Sequence, residues 1–344
     1  MIDRTIVIVN PNSKGGQTGK NWDSINSILK KYFGDDIDSV FTEKAGDGIR
    51  LARDYLEKGF KNIIPIGGDG MINEVSNGFF KVNISKNFNI KDIESKDLSS
   101  FVHVDAINPE ATLTILPSGT RNVLIKSLNL PPDFEECCKY LSTSNTVKNI
   151  DTILAIVNDS NNENNYIHRF FLNAAEIGLG AEIIDRSKTV REKVSSSRLL
   201  STVMGVVTTL PAYKSNTCDV IEGSAGSNKI NNRILTNMTM GVISNGSFLG
   251  GGFQVAIKAD MTDGLLDTVI IKNSDSFKIL NKLVNIKKGE ESIINENDIY
   301  YGQSQIVTLI SKDEDSISVS VDGEPIGTLP AFFQVFHQAL KIRS

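Results

Sequence analysis

The sequence has 344 residues, which is enough for two domains that each bury a core of their own. Its net charge of −5 argues against non-specific nucleic-acid binding, because that binding depends on Lys and Arg neutralising phosphates. No stretch approaches roughly 18 uninterrupted apolar residues, so the sequence predicts no membrane-spanning helix. The first ten residues are typical of a strand and not of a signal peptide.

The three cysteines give no sign of a disulfide or zinc framework. Cys137 and Cys138 are adjacent, and Cys218 lies far from them in the chain. This usage is typical of proteins in a reducing cytosol, and we expect all three thiols to be structural.

The N-terminal part alternates short apolar runs with helical patterns. Strands are predicted over residues 5–9, over a run that ends at Thr42, and over residues 63–66, with apolar residues at helical spacing between them. A further strand is predicted over residues 112–116 and a helix over residues 123–128. This βαβαβ order predicts a parallel sheet whose loops lie at its carboxyl edge.

Residues 67–70, the first glycine loop, follow the third predicted strand and begin a helix. Gly67, Gly68 and Gly70 would let backbone N–H groups gather at the positive end of that helix, where phosphates bind well. A carboxylate among phosphates is repelled unless a metal ion or a proton transfer justifies it, so Asp69 indicates phosphoryl-transfer chemistry. The alternative is a tight strand-to-helix turn in which Asp69 and Asn73 cap the helix.

Two other turns and one irregular stretch complete the N-terminal pattern. Residues 117–122, the second glycine loop, open the next predicted helix and are either a second ligand loop or a simple turn. Residues 10–16, the opening loop, are rich in hydrogen-bond donors. Residues 81–111 are rich in Lys, Asn, Ser and Asp without a clear period, which indicates an insertion or a mobile flap.

From about residue 150 the pattern changes to short β-like runs, one of them residues 169–174, separated by Asn, Gly and Ser turns. Such runs predict an antiparallel sandwich or barrel. The stretch 199–210 has an apolar helical face, which favours a core helix over contact with a membrane surface. The last apolar stretch, residues 332–340, could return to the first domain.

Two acidic turns in this half could carry chemistry. Residues 260–267, the acidic loop, form either a common hairpin turn or an oxygen cage for Mg²⁺ or Ca²⁺, made by the Asp263 carboxylate and neighbouring backbone carbonyls. In the second turn, Asp322 and Gly323 precede Glu324, which a following proline would hold rigidly. A rigid carboxylate near a phosphate site could accept a proton from a hydroxyl nucleophile.

Taken together, several motifs in register resemble the bacterial-type diacylglycerol kinase family of soluble lipid kinases, relatives of sphingosine and ceramide kinases. They are Asn10-Pro11 with the following Ser-Lys-Gly-Gly, Gly67-Gly68-Asp69-Gly70 with Asn73-Glu74, residues 117–122, Phe171-Leu172-Asn173 through Gly178-Leu179-Gly180, Gly250-Gly251-Gly252, Asp263-Gly264-Leu265-Leu266-Asp267, and Asp322-Gly323-Glu324.

The resemblance implies an N-terminal α/β domain like those of NAD kinases and phosphofructokinases, followed by an antiparallel β-sandwich domain, with the active site in the cleft between them. The α/β domain would cover residues 1–148 with the insertion at about 81–111, the sandwich residues 149–328, and a segment returning to the first domain residues 329–344. The residues implied to line ATP are Asn10, Pro11, Asn12, Ser13, Lys14, Thr42, Gly67, Gly68, Asp69, Gly70, Met71, Ile72, Asn73, Gly119 and Thr120.

The resemblance also implies roles for the acidic residues. Asp263, with the carbonyls of Asp260 and Leu265, would hold a structural Mg²⁺. Glu324 would be the general base that takes the lipid hydroxyl proton, and Asp69 would bind catalytic Mg²⁺ through water or share the base role.

We therefore expect an ATP- and Mg²⁺-dependent lipid kinase acting on a lipid presented at a membrane surface, with diacylglycerol the first expected substrate. The expected location is the cytoplasm, with peripheral contact at the inner membrane surface, and the family often pairs through its second domain as a homodimer. One alternative is an NAD kinase, which shares the Gly-Gly-Asp-Gly motif but fits the opening loop and Glu324 less well. Another is a non-catalytic lipid- or nucleotide-binding protein. Met71, where the family usually has Thr, and Val123, where many members have Asp, favour this last alternative.

Overall fold

A computed structural model describes residues 4–144, 146–160, 162–194, 213–249, 253–272 and 297–344. The chain divides into two compact units. The first unit comprises Met1–Asn83, His103–Thr152 and His337–Ser344, and the second comprises Ile84–Val102 and Ile153–Phe336. The predicted helix over residues 199–210 and the glycine triplet at 250–252 lie outside the described residues.

The described elements alternate between helices and strands before residue 145 and are mostly strands after it. In chain order they are β1 (Thr5–Val9), α1 (Gln17–Lys20), α2 (Trp22–Phe33), β2 (Ile37–Phe41), α3 (Asp47–Glu57), β3 (Asn62–Ile66), α4 (Asp69–Asn77), β4 (Phe80–Ile84), β5 (Val102–Ala106), β6 (Thr112–Thr114), α5 (Val123–Ser127), α6 (Phe134–Ser144), β7 (Val147–Asp159), β8 (Asn162–Phe171), β9 (Ala174–Gly178), α7 (Leu179–Val194), β10 (Asn216–Gly223), β11 (Ile230–Ser244), β12 (Leu266–Lys272), β13 (Ile299–Ser304), β14 (Ile306–Ser311), β15 (Ser318–Val321) and β16 (Glu324–Arg343).

The first unit contains the predicted parallel sheet. β1 lies between β2 and β3, and Val9 at its end is level with Phe41 on one side and Ile66 on the other. β6 pairs parallel with β3, and the last residues of β16 pair parallel with β6. All five residues of β1 and of β3 are buried, as expected for parallel strands covered on both faces. The opening loop and the first glycine loop therefore leave neighbouring strands at one edge of this sheet.

Residues 81–111 contain regular structure that their irregular composition does not predict. β4 and β5 form a two-stranded sheet, and two short 3₁₀ turns cover Ile90–Asp92 and Leu98–Phe101. Within the second unit, the buried Phe88 ring lies edge-on to the rings of Tyr166 and Phe332, at centroid distances of 5.5 and 5.6 Å. Aromatic contacts made by a single phenylalanine thus attach this stretch to strands β8 and β16.

The second unit confirms the predicted antiparallel architecture. Its strands run in the order β13-β12-β11-β10-β14-β16, while β9 pairs with both β11 and β15. Its main core contains Ile177, Val220, Leu309 and Phe333, all fully buried. Such aliphatic and aromatic side chains each contribute about 1.5–3 kcal/mol of transfer free energy when buried.

The prediction of one strand over residues 169–174 is wrong. β8 ends at Phe171 and β9 begins at Ala174. The break has a physical cause, because the backbone N–H groups of Leu172 and Asn173 donate to the Asp322 carboxylate instead of continuing a strand ladder. The hydropathy of residues 169–174 could not predict this break, because it contains no information about Asp322, which lies about 150 positions away.

The cysteines agree with the prediction that they are structural. Cys137, Cys138 and Cys218 are buried free thiols, and burial raises the pKa of each to about 12, which leaves them unreactive. Within the described part of the chain, every helix is too short or too polar to cross a bilayer.

Candidate active site

The two glycine loops of the first unit are packed backbone against backbone. A Cβ atom added at Gly119 would lie 2.8 Å from the Cα of Gly68, so this contact requires glycine. Ser118 joins the same loops by its buried side chain: its Oγ accepts from the Gly67 amide at 2.9 Å and donates to the Gly67 carbonyl at 2.8 Å. Two turns predicted separately from the sequence therefore form one structure at the ends of β3 and β6.

Asp69 and Asn122 extend this attachment to the next helix. Asp69 is the first residue of α4, and its Oδ1 accepts from the Val123 amide at 3.0 Å, where α5 begins. Asn122 has a left-handed backbone, with φ of 48°, and its Oδ1 accepts from the Gly119 amide at 2.8 Å. The amides of Gly67, Gly119 and Val123 are thus engaged within the protein, which leaves neighbouring amides such as those of Gly68, Gly70 and Thr120 as candidates for contacting phosphate.

Met71 and Ile72, the following residues of α4, are buried, whereas Thr120 is exposed. A Cβ at Gly67 would lie 2.6 Å from the Met71 Cβ, so Met71 packs directly beneath the first glycine loop. Asn73 is also buried, and its carbonyl accepts from the Ser76 hydroxyl and the Asn77 side-chain amide. Met71 therefore contributes packing at the position where the resemblance implies a threonine hydroxyl.

The opening loop has a strained backbone that is typical of anion sites. Lys14, Gly15 and Gly16 have φ values of 52°, 66° and 84°, and Lys14 is the costly member because its Cβ disfavours that region. The Gly16 amide donates to the Asn12 carbonyl at 3.1 Å, so the amides of Lys14 and Gly15 are the ones that this turn can offer to an anion. Hydrogen bonds hold the loop in place: the Asn10 amide donates to the Ile66 carbonyl at 2.9 Å, and the Asn10 Oδ1 accepts from the Asn12 amide at 3.0 Å.

The rest of the opening loop is held from within. The hydroxyls of Ser13 and Thr18, both buried, share a short hydrogen bond. The Pro11 carbonyl accepts from the Gly19 amide at 3.0 Å, which connects the loop to α1. Both contacts rigidify a loop that its glycines alone would leave flexible.

The segment after β2 is also anchored, in part by a residue that no sequence motif marks. The buried Thr42 amide donates to the Val9 carbonyl at 2.9 Å, which places Thr42 beside the opening loop. Asp47 Oδ2 accepts from the amides of Glu43 and Lys44 at 2.9 and 3.0 Å, and these bonds, with Arg50 nearby, hold the pKa of Asp47 below its ordinary value. An acidic residue shortly after a strand is the only signal in the sequence that could have pointed to Asp47.

In the second unit, Glu324 follows a two-residue hairpin turn. Val321 is paired with Glu324, and the intervening Asp322 and Gly323 have φ values of 48° and 81°, the pattern of a type I′ turn. Asp322 also anchors the turn through its side chain. Its Oδ1 accepts from the amides of Asn173 and Ala174 at 3.0 and 3.2 Å, and its Oδ2 accepts from the Leu172 amide at 3.1 Å.

The same segment is connected to the end of β11. The Asn173 carbonyl accepts from the amides of Asn245 and Gly246 at 2.8 and 3.0 Å, and the Asn245 side chain donates to the Leu172 carbonyl at 2.8 Å. Glu324, which is half-buried, thus follows a turn held by several hydrogen bonds to a second chain segment. The Phe171-Leu172-Asn173 motif and the Asp322-Gly323-Glu324 motif are therefore parts of one hydrogen-bonded structure.

The acidic loop is exposed at its tip. Asp263 Oδ1 accepts from the Leu265 amide at 2.9 Å, and Asp260 Oδ1 accepts from the amide and hydroxyl of Thr262 at 2.9 and 2.7 Å. Asp267, at the start of β12, is buried, and burial raises its pKa to about 6 despite hydrogen bonds from Tyr301 and Gln303.

The donor set of the acidic loop suits a hard cation in its chemistry. Among the described residues, no three His, Cys, Asp or Glu side chains come together as a metal site. The ligands expected from the sequence are one carboxylate, on Asp263, and the backbone carbonyls of Asp260 and Leu265. Mg²⁺ and Ca²⁺ accept such oxygen ligands, so these residues fit the expected ion.

Comparison with known proteins gives matches along most of the chain. Residues 4–155 match the diacylglycerol kinase catalytic domain, and residues 175–344 match the YegS C-terminal NAD kinase beta sandwich-like domain. A relative in Escherichia coli O127:H6, named "Probable lipid kinase YegS", is 26% identical over 308 residues, covering 88% of this chain and 84% of its own. One in Chromohalobacter salexigens, named "Probable lipid kinase YegS-like", is 24% identical over 301 residues, covering 87% and 79%.

Solved structures show the same fold. A crystal structure described as a diacylglycerol kinase from Bacillus anthracis strain Sterne aligns with a TM-score of 0.63 at 19% identity, over 99% of this chain and 96% of that one. Yeast NADH kinase aligns with a TM-score of 0.50 at 10% identity, over 97% and 78%. The expected fold, an NAD kinase-like α/β domain followed by an antiparallel β-sandwich domain, is thereby confirmed. With two matched domains in the expected order, the chain belongs to the diacylglycerol kinase and YegS family of lipid kinases.

Proposed function

We propose that this protein is an ATP- and Mg²⁺-dependent kinase that transfers the γ-phosphoryl group to the hydroxyl of a lipid, with diacylglycerol as the first candidate. The observation that carries the proposal is the backbone contact between Gly68 and Gly119, held by Ser118. Two N–H-rich loops that can approach only as glycines form a surface with little side-chain bulk. Such a surface suits a triphosphate, whose oxygens need many donors at short range.

ATP would be bound by the first unit. The opening loop, Thr42 and both glycine loops would surround its phosphates and ribose, and Asn73 would support the first loop from inside α4. The positive end of α4 would favour the negative charge of the phosphates. Asp69 would hold a catalytic Mg²⁺ through water, or share proton acceptance with Glu324.

The chemical step needs a proton acceptor and charge compensation. The lipid hydroxyl oxygen forms a bond to the γ-phosphorus, the bond to the β-γ bridging oxygen breaks, and ADP leaves. Glu324 accepts the hydroxyl proton in this step. Mg²⁺, when bound, would supply positive charge that offsets the phosphates, and Asp263 with the carbonyls of Asp260 and Leu265 would hold a structural ion.

An assay with three acceptors tests the proposal. The protein is incubated with γ-labelled ATP and Mg²⁺, together with diacylglycerol in mixed micelles, with NAD, or with an extract of membrane lipids. Label in a lipid product supports the proposal, and its mass identifies the lipid. Label in NADP would establish the NAD kinase alternative, and ATP binding without transfer to any acceptor would establish the non-catalytic one, which Met71 and Val123 favour.

We also propose that the protein takes its lipid from the cytoplasmic face of a membrane by peripheral contact. An enzyme acting on a lipid must reach the surface where that lipid resides. Co-flotation with diacylglycerol-containing vesicles, compared with vesicles of phosphatidylcholine alone, tests the contact. Light scattering after size-exclusion chromatography tests whether the protein pairs as a homodimer. A protein that stays unbound to both vesicles would contradict the proposed contact.

A further inference from the structure

An exposed aromatic pair stands at the carboxyl end of β2. Phe41, the last residue of that strand, is 42% exposed. Its ring lies 5.3 Å from the ring of Trp22, the first residue of α2, at an interplanar angle of 78°. A T-shaped pair of this kind leaves ring faces that the partner ring does not cover. The exposure of Phe41 shows that part of this aromatic surface is open to solvent.

The position of the pair relates it to the loops of the first unit. Phe41 is paired with Val9, and Val9 is paired with Ile66 on its other side. The opening loop follows β1, and the first glycine loop follows β3. Because β1 lies between β2 and β3, these two strands are two strand spacings, about 10 Å, apart. A nucleotide with phosphates at Gly68 and Gly70 can extend its ribose and base along this edge toward Phe41.

The backbone that directly follows Phe41 is held in place by hydrogen bonds. The next residue, Thr42, donates from its amide to the Val9 carbonyl, and Asp47 binds the amides of Glu43 and Lys44. A backbone fixed in this way, with the ring already packed against Trp22, leaves Phe41 less freedom to lose when a ligand stacks on it. Other large apolar side chains exposed in the described part of the first unit, Tyr140 and Val147, lie on α6 and at the start of β7.

We infer that Trp22 and Phe41 form the subsite for the nucleobase of the nucleoside triphosphate whose phosphates the glycine loops bind. This inference rests on the proposed function. Stacking on an aromatic ring is favourable for every base because each has a π-face, so the subsite adds affinity without selecting adenine. We therefore expect ATP and GTP to gain similarly from it, and inorganic tripolyphosphate to gain nothing.

Trp22 makes the test direct, because it is the single tryptophan of the chain. Titration of the full chain with ATP in the presence of Mg²⁺ is expected to quench tryptophan emission. Tripolyphosphate is expected to compete with ATP while leaving the emission nearly unchanged. This measurement uses the unaltered protein and does not depend on whether any variant folds.

A variant provides the second measurement. Phe41→Ala is expected to raise the Kd for ATP roughly 5- to 100-fold, the usual range for losing one stacked base, and to leave the Kd for tripolyphosphate unchanged. Phe41→Tyr should bind ATP like the wild type, and Tyr140→Ala, which removes an exposed aromatic ring from α6, is the matched control. Calorimetry gives each Kd independently of fluorescence.

The outcomes separate the two proposals. If calorimetry detects ATP binding, but the emission does not change and Phe41→Ala binds ATP as tightly as the wild type, the base subsite is wrong and the kinase proposal stands. If calorimetry detects no ATP binding at all, the nucleotide part of the proposed function fails, and the subsite fails with it.

Discussion

The two units build their candidate sites from opposite chemistry. In the first unit the glycine loops and the opening loop present backbone N–H groups, and the side chains of Ser118, Asn122 and Asp69 hold the two glycine loops together. In the second unit carboxylates dominate, and Asp322 and Asp263 accept N–H groups from their surroundings. A donor-rich surface suits phosphates, whereas an acceptor-rich surface suits cations and protons.

The comparison suggests that the two units contribute to different steps, nucleotide binding and phosphoryl transfer, and mutations can test the two contributions separately. Changes in the first unit should act mainly on nucleotide affinity, because they alter the donors that contact phosphate. Changes near Glu324 should act mainly on turnover, because proton acceptance matters in the chemical step and not in nucleotide binding. A first-unit variant that changes mainly turnover, or a variant near Glu324 that changes mainly nucleotide affinity, would contradict this assignment.

The largest expected effect is that of Glu324→Gln. If Glu324 accepts the hydroxyl proton, its amide cannot, and kcat should fall about 10²- to 10⁴-fold. Nucleotide affinity, measured by calorimetry, should stay within about twofold of the wild type, because the binding loops are intact. Glu314→Gln, which changes an exposed glutamate of the same unit, is the control. Full turnover by Glu324→Gln on the true substrate would show that another group takes the proton.

Asp322→Ala should give the next largest effect and tests whether the turn positions Glu324. The substitution removes the acceptor for three amides, and unpaired buried groups of this kind cost about 1–3 kcal/mol each. Because small displacements of a catalytic group slow the reaction strongly, we expect kcat to fall roughly 10- to 100-fold with an unchanged KM for ATP. Asp322→Asn retains Oδ1 as the acceptor for the amides of Asn173 and Ala174, so kcat should fall less than in Asp322→Ala.

The pair of variants distinguishes positioning from general destabilisation. Asp315→Ala, at an exposed aspartate of the same unit, gives the baseline for both thermal unfolding and turnover. We expect kcat to fall in Asp322→Asn and to fall further in Asp322→Ala, when both are measured at a temperature where every variant remains folded. Wild-type kcat in folded Asp322→Ala would show that the carboxylate serves the fold alone.

Ser118→Ala tests whether the first unit acts on nucleotide affinity. Its hydroxyl is hydrogen-bonded to both the amide and the carbonyl of Gly67, so the substitution leaves both groups without this partner. If the less ordered loop costs about 1–2 kcal/mol of ATP-binding free energy, the Kd for ATP rises roughly 5- to 30-fold, and kcat at saturating ATP changes little. Ser142→Ala removes a half-buried hydroxyl of α6 that donates to the Lys139 carbonyl, and it should change neither quantity.

How far the sequence predicts these sites depends on how local their constraints are. The strands at residues 5–9 and 63–66 were predictable because they are continuous apolar runs, and the glycine loops were predictable because a glycine turn between a strand and a helix is a local pattern. β13, by contrast, contains Gly302 and Gln303, which interrupt the strand signal of the residues before them. Its position depends on pairing with β12, a property of the fold and not of the segment.

The residues that hold the sites together were not predictable for the same reason. Ser118 acts on a residue 51 positions away, and Asp322 acts on amides 148 to 150 positions away. A serine before a glycine or an aspartate in a turn has many ordinary explanations, and only the fold shows which backbone groups it meets. Motifs therefore revealed where each loop lies, whereas the structure was needed to find which loops are joined.

The smallest expected effect concerns the second unit away from its carboxylate turns and depends on pH. Asp219 is buried, and hydrogen bonds from Arg233 and then from Lys312 hold its pKa below its ordinary value, although burial opposes them. Arg233 also pairs with Glu94 at 2.8 Å, which links this charge cluster to the stretch at residues 84–102. The cluster should therefore stabilise the second unit whenever Asp219 is ionised.

Because the pKa of Asp219 is lower in the folded state, its contribution should be fully present above the unfolded value of about 4 and lost as pH falls through the folded value. Asp219→Asn removes the charge, so at pH 7 its thermal unfolding should begin a few degrees below that of the wild type, for a loss of about 1–2 kcal/mol. This gap should narrow as the pH is lowered from about 5 to 3, because the wild type then loses the same charge by protonation. Asp315→Asn, at an exposed position, is the control for the general effect of acid. A gap that stays constant across this range would mean that the carboxylate charge of Asp219 does not stabilise the second unit.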